Sequence, residues 1–234
     1  MTSNVSNTAA PTTNPRPIRA VVFDLDGLMV NTEEIFNEVG REVLRRRDKE
    51  MTHELLSLMM GRRAPEAIGN MIEYHKLTDS VEELIEETRI LFYELIGERL
   101  APMPGLFELL SHIEACGLPK AVATSSGRKY LEDILGKLDL MERFQTTLTA
   151  EDVTHGKPAP EIYLKAAERL GVSPDEMMVL EDSQAGTTAG VSAGAVVVSV
   201  PHEHSRQHDL SHATYIAARL DDPWVLERLS VPRS

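Results

Sequence analysis

Thiol chemistry is nearly absent from this 234-residue chain, which contains a single cysteine, Cys116. No internal disulfide can form, so folding cannot rest on a disulfide framework. A lone thiol suits a reducing compartment, and a cytoplasmic protein is expected. Positive charge is also scarce: 24 Lys and Arg stand against 37 Asp and Glu, for a formal net charge of -13. Such a chain repels a polyanionic phosphate backbone and offers it no basic footprint, so nucleic acid is not an expected partner. No stretch approaches the roughly 18 consecutive apolar residues that span a bilayer, and no membrane association is expected. Residues 1–17, MTSNVSNTAAPTTNPRP, lack the apolar run of a signal peptide and are rich in Ser, Thr, Asn and Pro. That composition predicts a disordered arm.

What the chain does contain is an alternation of short β-branched runs and helical patterns. Ile18 to Phe23, Ala121 to Ala123, Met177 to Leu180 and Ala195 to Val200 are strand candidates, and Gly105 to Cys116 and Pro160 to Leu170 have helical spacing between them. Alternation of this kind predicts a parallel α/β sheet. Between Glu33 and Ala101 the texture changes, because helical segments follow one another with no strand candidate. In Val81 to Leu100 the residues Leu84, Ile85, Thr88, Leu91, Phe92, Leu95 and Ile96 recur at helical spacing, and Ala-Pro-Met-Pro at 101–104 marks a hinge. The expected organisation is a core from 18–32 and 102–234 with a helical domain, 33–101, inserted in it.

In open α/β sheets ligands gather at the carboxyl ends of the strands, so polar residues placed just after strands are the candidates for chemistry, and four strands are expected to end in such residues. Asp24-Leu25-Asp26-Gly27 sets two carboxylates two residues apart; one can attack while the other handles a proton. Thr124-Ser125-Ser126-Gly127 is a hydroxyl cluster whose backbone can approach an anion closely. His155-Gly156-Lys157-Pro158 supplies a lysine, and Glu181-Asp182-Ser183 a second carboxylate pair. Singly, each has a plainer reading as a solvated loop, a turn or a helix cap. Together, in one sheet, they form a set that phosphoryl chemistry can use.

The segments FDLDGLMVNTE, VATSSG, HGKPAPEIYLKAA and VLEDSQAGTTAG resemble the four ordered motifs of the haloacid dehalogenase superfamily, over nearly the whole chain from Ile18 onward. The resemblance implies a doubly wound, Rossmann-like core with a small α-helical cap in the slot between the first and second motifs. It makes Asp24 the nucleophile, which takes up the phosphoryl group as an aspartyl-phosphate. Asp26 becomes the acid that protonates the leaving oxygen and then the base that activates water. Mg²⁺ is implied on Asp24, the main-chain carbonyl of Asp26 and Asp182, with Glu181 as an additional or outer partner. Thr124 and Ser125 would bind phosphoryl oxygens, and Lys157 would neutralise developing charge. The implied partner is a small phosphorylated metabolite, handled by a monomer. Where many relatives have Asp at the end of the first motif this chain has Asn31, for which an N-cap role is expected, with Glu34 at capping-box spacing.

Asp26 argues against the superfamily's dehalogenases and phosphonatases, which lack a carboxylate there. A β-phosphoglucomutase-like mutase is the harder rival, since LEDSQAG at 180–186 also occurs in that group; a catalytically silent phosphate-binding or regulatory module that kept the fold is a second, against which the presence of all the chemical residues argues. A mutase carries a hinge histidine twelve positions after the nucleophile, where this chain has Phe36. LMMGRRAPEAI, MPG, ATSSG and VPHEHSRQHDL are similar to the pseudouridine 5′-phosphatase group, whose relatives also include sugar-phosphate phosphatases. Substrate choice is expected in the cap, near Gly61-Arg62-Arg63, with both arginines as candidate substrate contacts. His202, His204, His208 and His212 could bind a metal if residues 203–212 were helical, although a solvated helix face is the plainer expectation.

Overall fold

The apolar runs become strands because each is short, β-branched and covered on both faces. The computed structural model describes residues 16–230 apart from 60, 61, 63 and 204; the greater part of the expected disordered arm lies outside the described residues. β1 (Ala20–Phe23), β2 (Lys120–Ala123), β3 (Thr146–Leu148), β4 (Met177–Glu181), β5 (Val196–Ser199) and β6 (Tyr215–Ile216) form one sheet in the order β3-β2-β1-β4-β5-β6. Every pairing is parallel. The chain moves from β1 outward through β2 and β3, then returns to β4 on the other side of β1. This reversal is a topological switch point, where a crevice opens at the carboxyl ends of β1 and β4. The fold is the doubly wound α/β class expected.

Alternate residues of β1 serve opposite faces. Val21 and Phe23 join a cluster with Leu109, Leu110 and Ile113 of α5 (Leu106–Ala115) and Leu131, Ile134 and Leu135 of α6 (Arg128–Lys137). Val22 packs instead with Ile162, Tyr163, Ala166 and Ala167 of α7 (Glu161–Leu170) and Ala189 of α8 (Gln184–Ser192). Full burial of one such apolar side chain contributes about 1.5–3 kcal/mol. The edge strands β3 and β6, of three and two residues, carry too little apolar pattern to show in the sequence. A fifth core helix among the described residues, α9 (Pro223–Leu229), packs against α5.

Between β1 and α5 come α1 (Thr32–Arg45), α2 (His53–Met59), α3 (Ala64–His75) and α4 (Val81–Arg99), with no strand among the described residues of that stretch. α4 opens on a capping box in which Ser80 Oγ accepts from Glu83 N at 3.2 Å and Glu83 accepts from Ser80 N at 2.9 Å. It buries Leu84, Leu91, Phe92 and Ile96, as its period predicts. Arg47 reaches from the end of α1 to Asp79 and Glu87, each at 2.7 Å.

One expectation is corrected at the hinge. Asn31 makes no side-chain cap on α1. Its amide instead ties the two connections between insert and sheet together: Nδ2 donates to Arg99 O at 3.0 Å, and Oδ1 accepts from Ala101 N at 2.8 Å. Its backbone N–H also donates to Ala101 O at 3.1 Å. An amide can donate and accept at once, which an aspartate cannot, so the residue serves the crossing of two chains better than it serves a helix end.

Just beyond the hinge, Gly105 stands at φ 88°, and a Cβ there would lie 2.6 Å from the backbone N of Asp221. Gly69, inside α3, has open space around it. Gly105→Ala should therefore lower the unfolding free energy by about 1–3 kcal/mol, whereas Gly69→Ala should raise it by roughly 0.5–1 kcal/mol through helix propensity. Urea denaturation of the two variants checks both signs; equal effects would contradict the placement of the strain.

Candidate active site

Asp24 follows β1 directly, and its backbone N–H donates to Leu180 O of β4 at 3.0 Å, which pins it at the switch point. Its side chain is buried and meets Lys157: Nζ donates to Asp24 Oδ1 at 2.5 Å, to Ala123 O at 2.9 Å and to Glu181 Oε1 at 2.6 Å. Lys157 does not follow a strand directly. It lies in the loop between β3 and α7 and reaches inward to the ends of β1, β2 and β4. Burial alone would pull the ammonium down, but the charges of Asp24 and Glu181 outweigh it and hold Lys157 well above the ordinary lysine value.

Glu181 is fully buried and its lone pairs are taken. Oε1 accepts from Lys157 and, at 2.6 Å, from the Tyr163 hydroxyl; Oε2 accepts from Asp182 N, Ser183 N and Ser183 Oγ at 3.2, 3.2 and 3.0 Å. Gly186 of α8 must be glycine for this packing, since a Cβ would fall 1.7 Å from Glu181 Oε1. Asp182 stands at the mouth of the crevice with Oδ2 2.9 Å from His202 Nε2, and Glu33 Oε2 lies 3.5 Å from the same ring nitrogen. Burial, then the charge of Glu181, holds the Asp182 carboxyl well above its ordinary value. Asp24 is raised likewise, because burial outweighs the attraction of Lys157. Burial and the nearby Asp182 push Glu33 up to about 7.

Asp26 is held differently. Its carboxylate accepts hydroxyl donors: Thr32 Oγ1 at 2.7 Å and Tyr130 Oη at 2.6 Å on Oδ1, Ser126 Oγ at 2.7 Å and Thr124 Oγ1 at 3.3 Å on Oδ2. Thr124 is buried, whereas Ser125 is exposed; both line a small cleft with Gly156 and Lys157. The four motifs are thus brought together around one point.

Arg62 is not drawn in with them. Arg62 is exposed, 3.8 Å from Glu66 on the next turn, and Gly61 and Arg63 lie outside the described residues. The histidine-rich stretch is corrected too: residues 203–212 carry turns, not a helix, among those described. His202 points to Asp182, while His208 Nδ1 accepts from Gln184 N at 3.4 Å at the start of α8, and His204 lies outside the described residues. Four-residue spacing therefore does not put these rings on one face.

Tyr130, Tyr163 and Thr32 enter the site without having been singled out individually, and His202 enters it as a partner of Asp182 rather than through a histidine cluster. Thr32 had a signal, its place at the end of the first motif. The tyrosines reach their carboxylates from helices α6 and α7, a contact that only tertiary packing creates.

Chemically, the crevice pairs one carboxylate with a fixed ammonium and a second carboxylate with neutral donors. Carboxylate oxygens of Asp24, Glu181 and Asp182 lie within 4.8 Å of one another and form an acidic cluster able to hold a metal ion. An all-oxygen, anionic donor set fits a hard divalent cation, and the single ammonium does not balance the charge.

The profile of the family Haloacid dehalogenase-like hydrolase matches residues 21–200. The "Probable pseudouridine-5'-phosphatase" of Drosophila melanogaster is 35% identical over 213 residues, covering 88% of this chain and 92% of that protein. The "Phosphorylated carbohydrates phosphatase" of Thermotoga maritima is 35% identical over 181 residues, covering 76% and 82%. Among solved structures, a HAD family hydrolase from Deinococcus radiodurans R1, with bound phosphate and sodium, superposes with a TM-score of 0.71 at 29% identity, over 86% of this chain and 90% of that one. With a sheet that places the four motifs at one crevice, the chain belongs to the haloacid dehalogenase-like hydrolase family, as an enzyme of the phosphoric monoester hydrolase kind.

Proposed function

We propose that the chain is a Mg²⁺-dependent phosphatase of small phosphate monoesters that passes through an aspartyl-phosphate on Asp24. The observation that carries this reading is the contrast between the two carboxylates of the first motif. Asp24 is buried and bonded to Lys157 at 2.5 Å, as suits a nucleophile whose product is an anion. Asp26, held by hydroxyls, can exchange a proton.

In the first step Asp24 attacks phosphorus and the bond to the leaving oxygen breaks, while Asp26 gives that oxygen its proton. In the second, Asp26 takes a proton from water, water oxygen attacks phosphorus, and Asp24 is released with inorganic phosphate. Lys157 stays in place through both steps and neutralises charge gathering on the phosphoryl oxygens. Thr124 and Ser125 supply hydroxyl and backbone donors to the same oxygens. Asp24, Asp182 and the carbonyl of Asp26 would hold Mg²⁺, with Glu181, occupied by its own donors, behind them. When bound, Mg²⁺ supplies Lewis-acid polarisation of the phosphoryl group and offsets the clustered carboxylates.

Residues 33–101 are proposed to act as a cap over the core, 18–32 and 102–234, with Asn31 at the crossing. The helical insert is the part of the chain that can tell leaving groups apart, because the motif residues meet only groups common to all monoesters. Candidate substrates are pseudouridine 5′-phosphate and other nucleotide or sugar phosphates, which the names of the Drosophila and Thermotoga relatives support. Phe36 favours hydrolysis over a mutase reaction: its ring stacks on Phe92 with centroids 4.3 Å apart and offers no polar group at the hinge. The lone Cys116 is in keeping with work in a reducing cytoplasm.

Three measurements follow from this assignment. Asp24→Asn, nearly isosteric, should keep the fold and lower kcat by about three powers of ten or more; retention of above roughly a tenth of the activity removes Asp24 from its role. Chelation with EDTA should abolish phosphate release and Mg²⁺ restore it, with Asp182→Ala raising the metal requirement; full turnover in chelator would sink the metal assignment. Changing Arg62 and Arg63 singly to Ala should, at one of the two, cost about ten-fold more in kcat/KM on the best natural substrate than on p-nitrophenyl phosphate. Equal losses on both substrates would move specificity to another part of the insert.

A further inference from the structure

Asp26 is the only carboxylate of the crevice whose described side-chain partners are all hydroxyls, and they divide by oxygen. Oδ2 accepts from Ser126 and Thr124, residues of the segment that faces the phosphoryl group in the proposed reaction. Oδ1 accepts from Thr32, at the hinge, and from Tyr130, at 2.7 and 2.6 Å. Ser126 and Thr124 can turn their protons to an arriving phosphoryl oxygen. Tyr130 has less freedom: conjugation favours a phenol hydrogen in the plane of its ring, and the ring is packed on two others.

What fixes it is an aromatic cluster built across the core and the insert. Tyr130 sits in the first turn of α6, with its ring centroid 5.5 Å from Phe92 of α4 and 6.1 Å from Phe36 of α1. Phe36 and Phe92 are themselves stacked, 4.3 Å apart at 18°. Beside them, Tyr93 Oη donates to Asp133 Oδ2 of α6 at 2.6 Å, a second tie between α4 and α6. The phenol oxygen is thereby aimed at Asp26 by packing that does not involve the phosphate path.

We propose that Tyr130 is a positioning residue for the proton transfer: by holding Oδ1, it leaves Oδ2 of Asp26 as the oxygen that carries the proton to the leaving group. This rests on the proposed role of Asp26 as general acid. Loss of the phenol hydroxyl leaves Thr32 as the one described donor on Oδ1, which loosens the carboxyl about its terminal torsion, broad in aspartate, once Ser126 and Thr124 turn to the phosphoryl group, and protonation of the leaving oxygen loses alignment.

The test compares two substrates of nearly the same shape that differ in need for an acid. Phenyl phosphate releases a phenol of pKa about 10, like the tyrosine side chain, and requires protonation; p-nitrophenyl phosphate releases a stabilised phenolate and needs little. Tyr130→Phe keeps the ring and its stacking and removes only the hydroxyl. Its kcat/KM should fall about ten-fold further on phenyl phosphate than on p-nitrophenyl phosphate. Equal losses on the two substrates, or no loss on phenyl phosphate, overturn the proposal, since a merely structural role does not discriminate between leaving groups. Asp26→Ala, measured in parallel, separates the two levels of the argument. If it shows the leaving-group-selective loss and Tyr130→Phe does not, the tyrosine alone is misassigned. If Asp26→Ala shows none, the acid role itself is wrong and the positioning role falls with it.

Discussion

A lysine ammonium enclosed by carboxylates is the interaction on which the rest of the site depends. Lys157, with its side chain only 5% exposed, joins Asp24 and Glu181 by short bonds and spends its third donor on the Ala123 carbonyl. Taking such a group out of water is expensive, and removing one partner of a buried pair typically costs about 3–5 kcal/mol because the other charge is left alone. Here every donor of the ammonium is used, and both oxygens of Glu181 accept from two or more donors. The arrangement therefore fixes the ends of β1, β2 and β4 relative to one another and holds Asp24 against a cation. The stability of the crevice and its electrostatics have the same source.

The sheet supplies what this cluster cannot. Register between β1 and β4 sets Phe23 against Leu180, so Asp24 and the Glu181-Asp182 pair follow on adjacent strands. Close approach is possible because α8 begins with small residues; Gly186 lies over Glu181 and Gly190 over Val197. The helical insert enters through two crossing connections held by Asn31 and reaches the crevice through rings. Sheet domain and insert thus meet at Phe36, Phe92 and Tyr130.

Much of this was legible in the sequence, and the parts that were not share a cause. Central strands bury both faces and so announce themselves as apolar runs; β3, read as Thr-Thr-Leu, and the two-residue β6 lie at the edges and carry no such signal. The motif carboxylates and Thr124 lie at the ends of β1, β2 and β4 as read from the sequence, whereas Lys157 reaches the same crevice from a loop. Tyr130 and Tyr163 did not emerge because a tyrosine on a helix reads as core filling until its hydroxyl is seen to meet Asp26 or Glu181. Asn31 was misjudged for a related reason: local spacing suggested a cap, and a partner seventy residues away took its amide. The histidines show the converse, in which a regular spacing carried no helix.

The central claim is that the phosphoryl group rests covalently on Asp24 between two half-reactions. Rapid quenching of the enzyme during turnover, followed by borohydride reduction and peptide mass spectrometry, tests it most directly. The account predicts homoserine at residue 24, and only there, in amounts that rise with substrate and vanish in Asp24→Asn. Turnover with no modified residue 24, or with the label on another carboxylate, would contradict it.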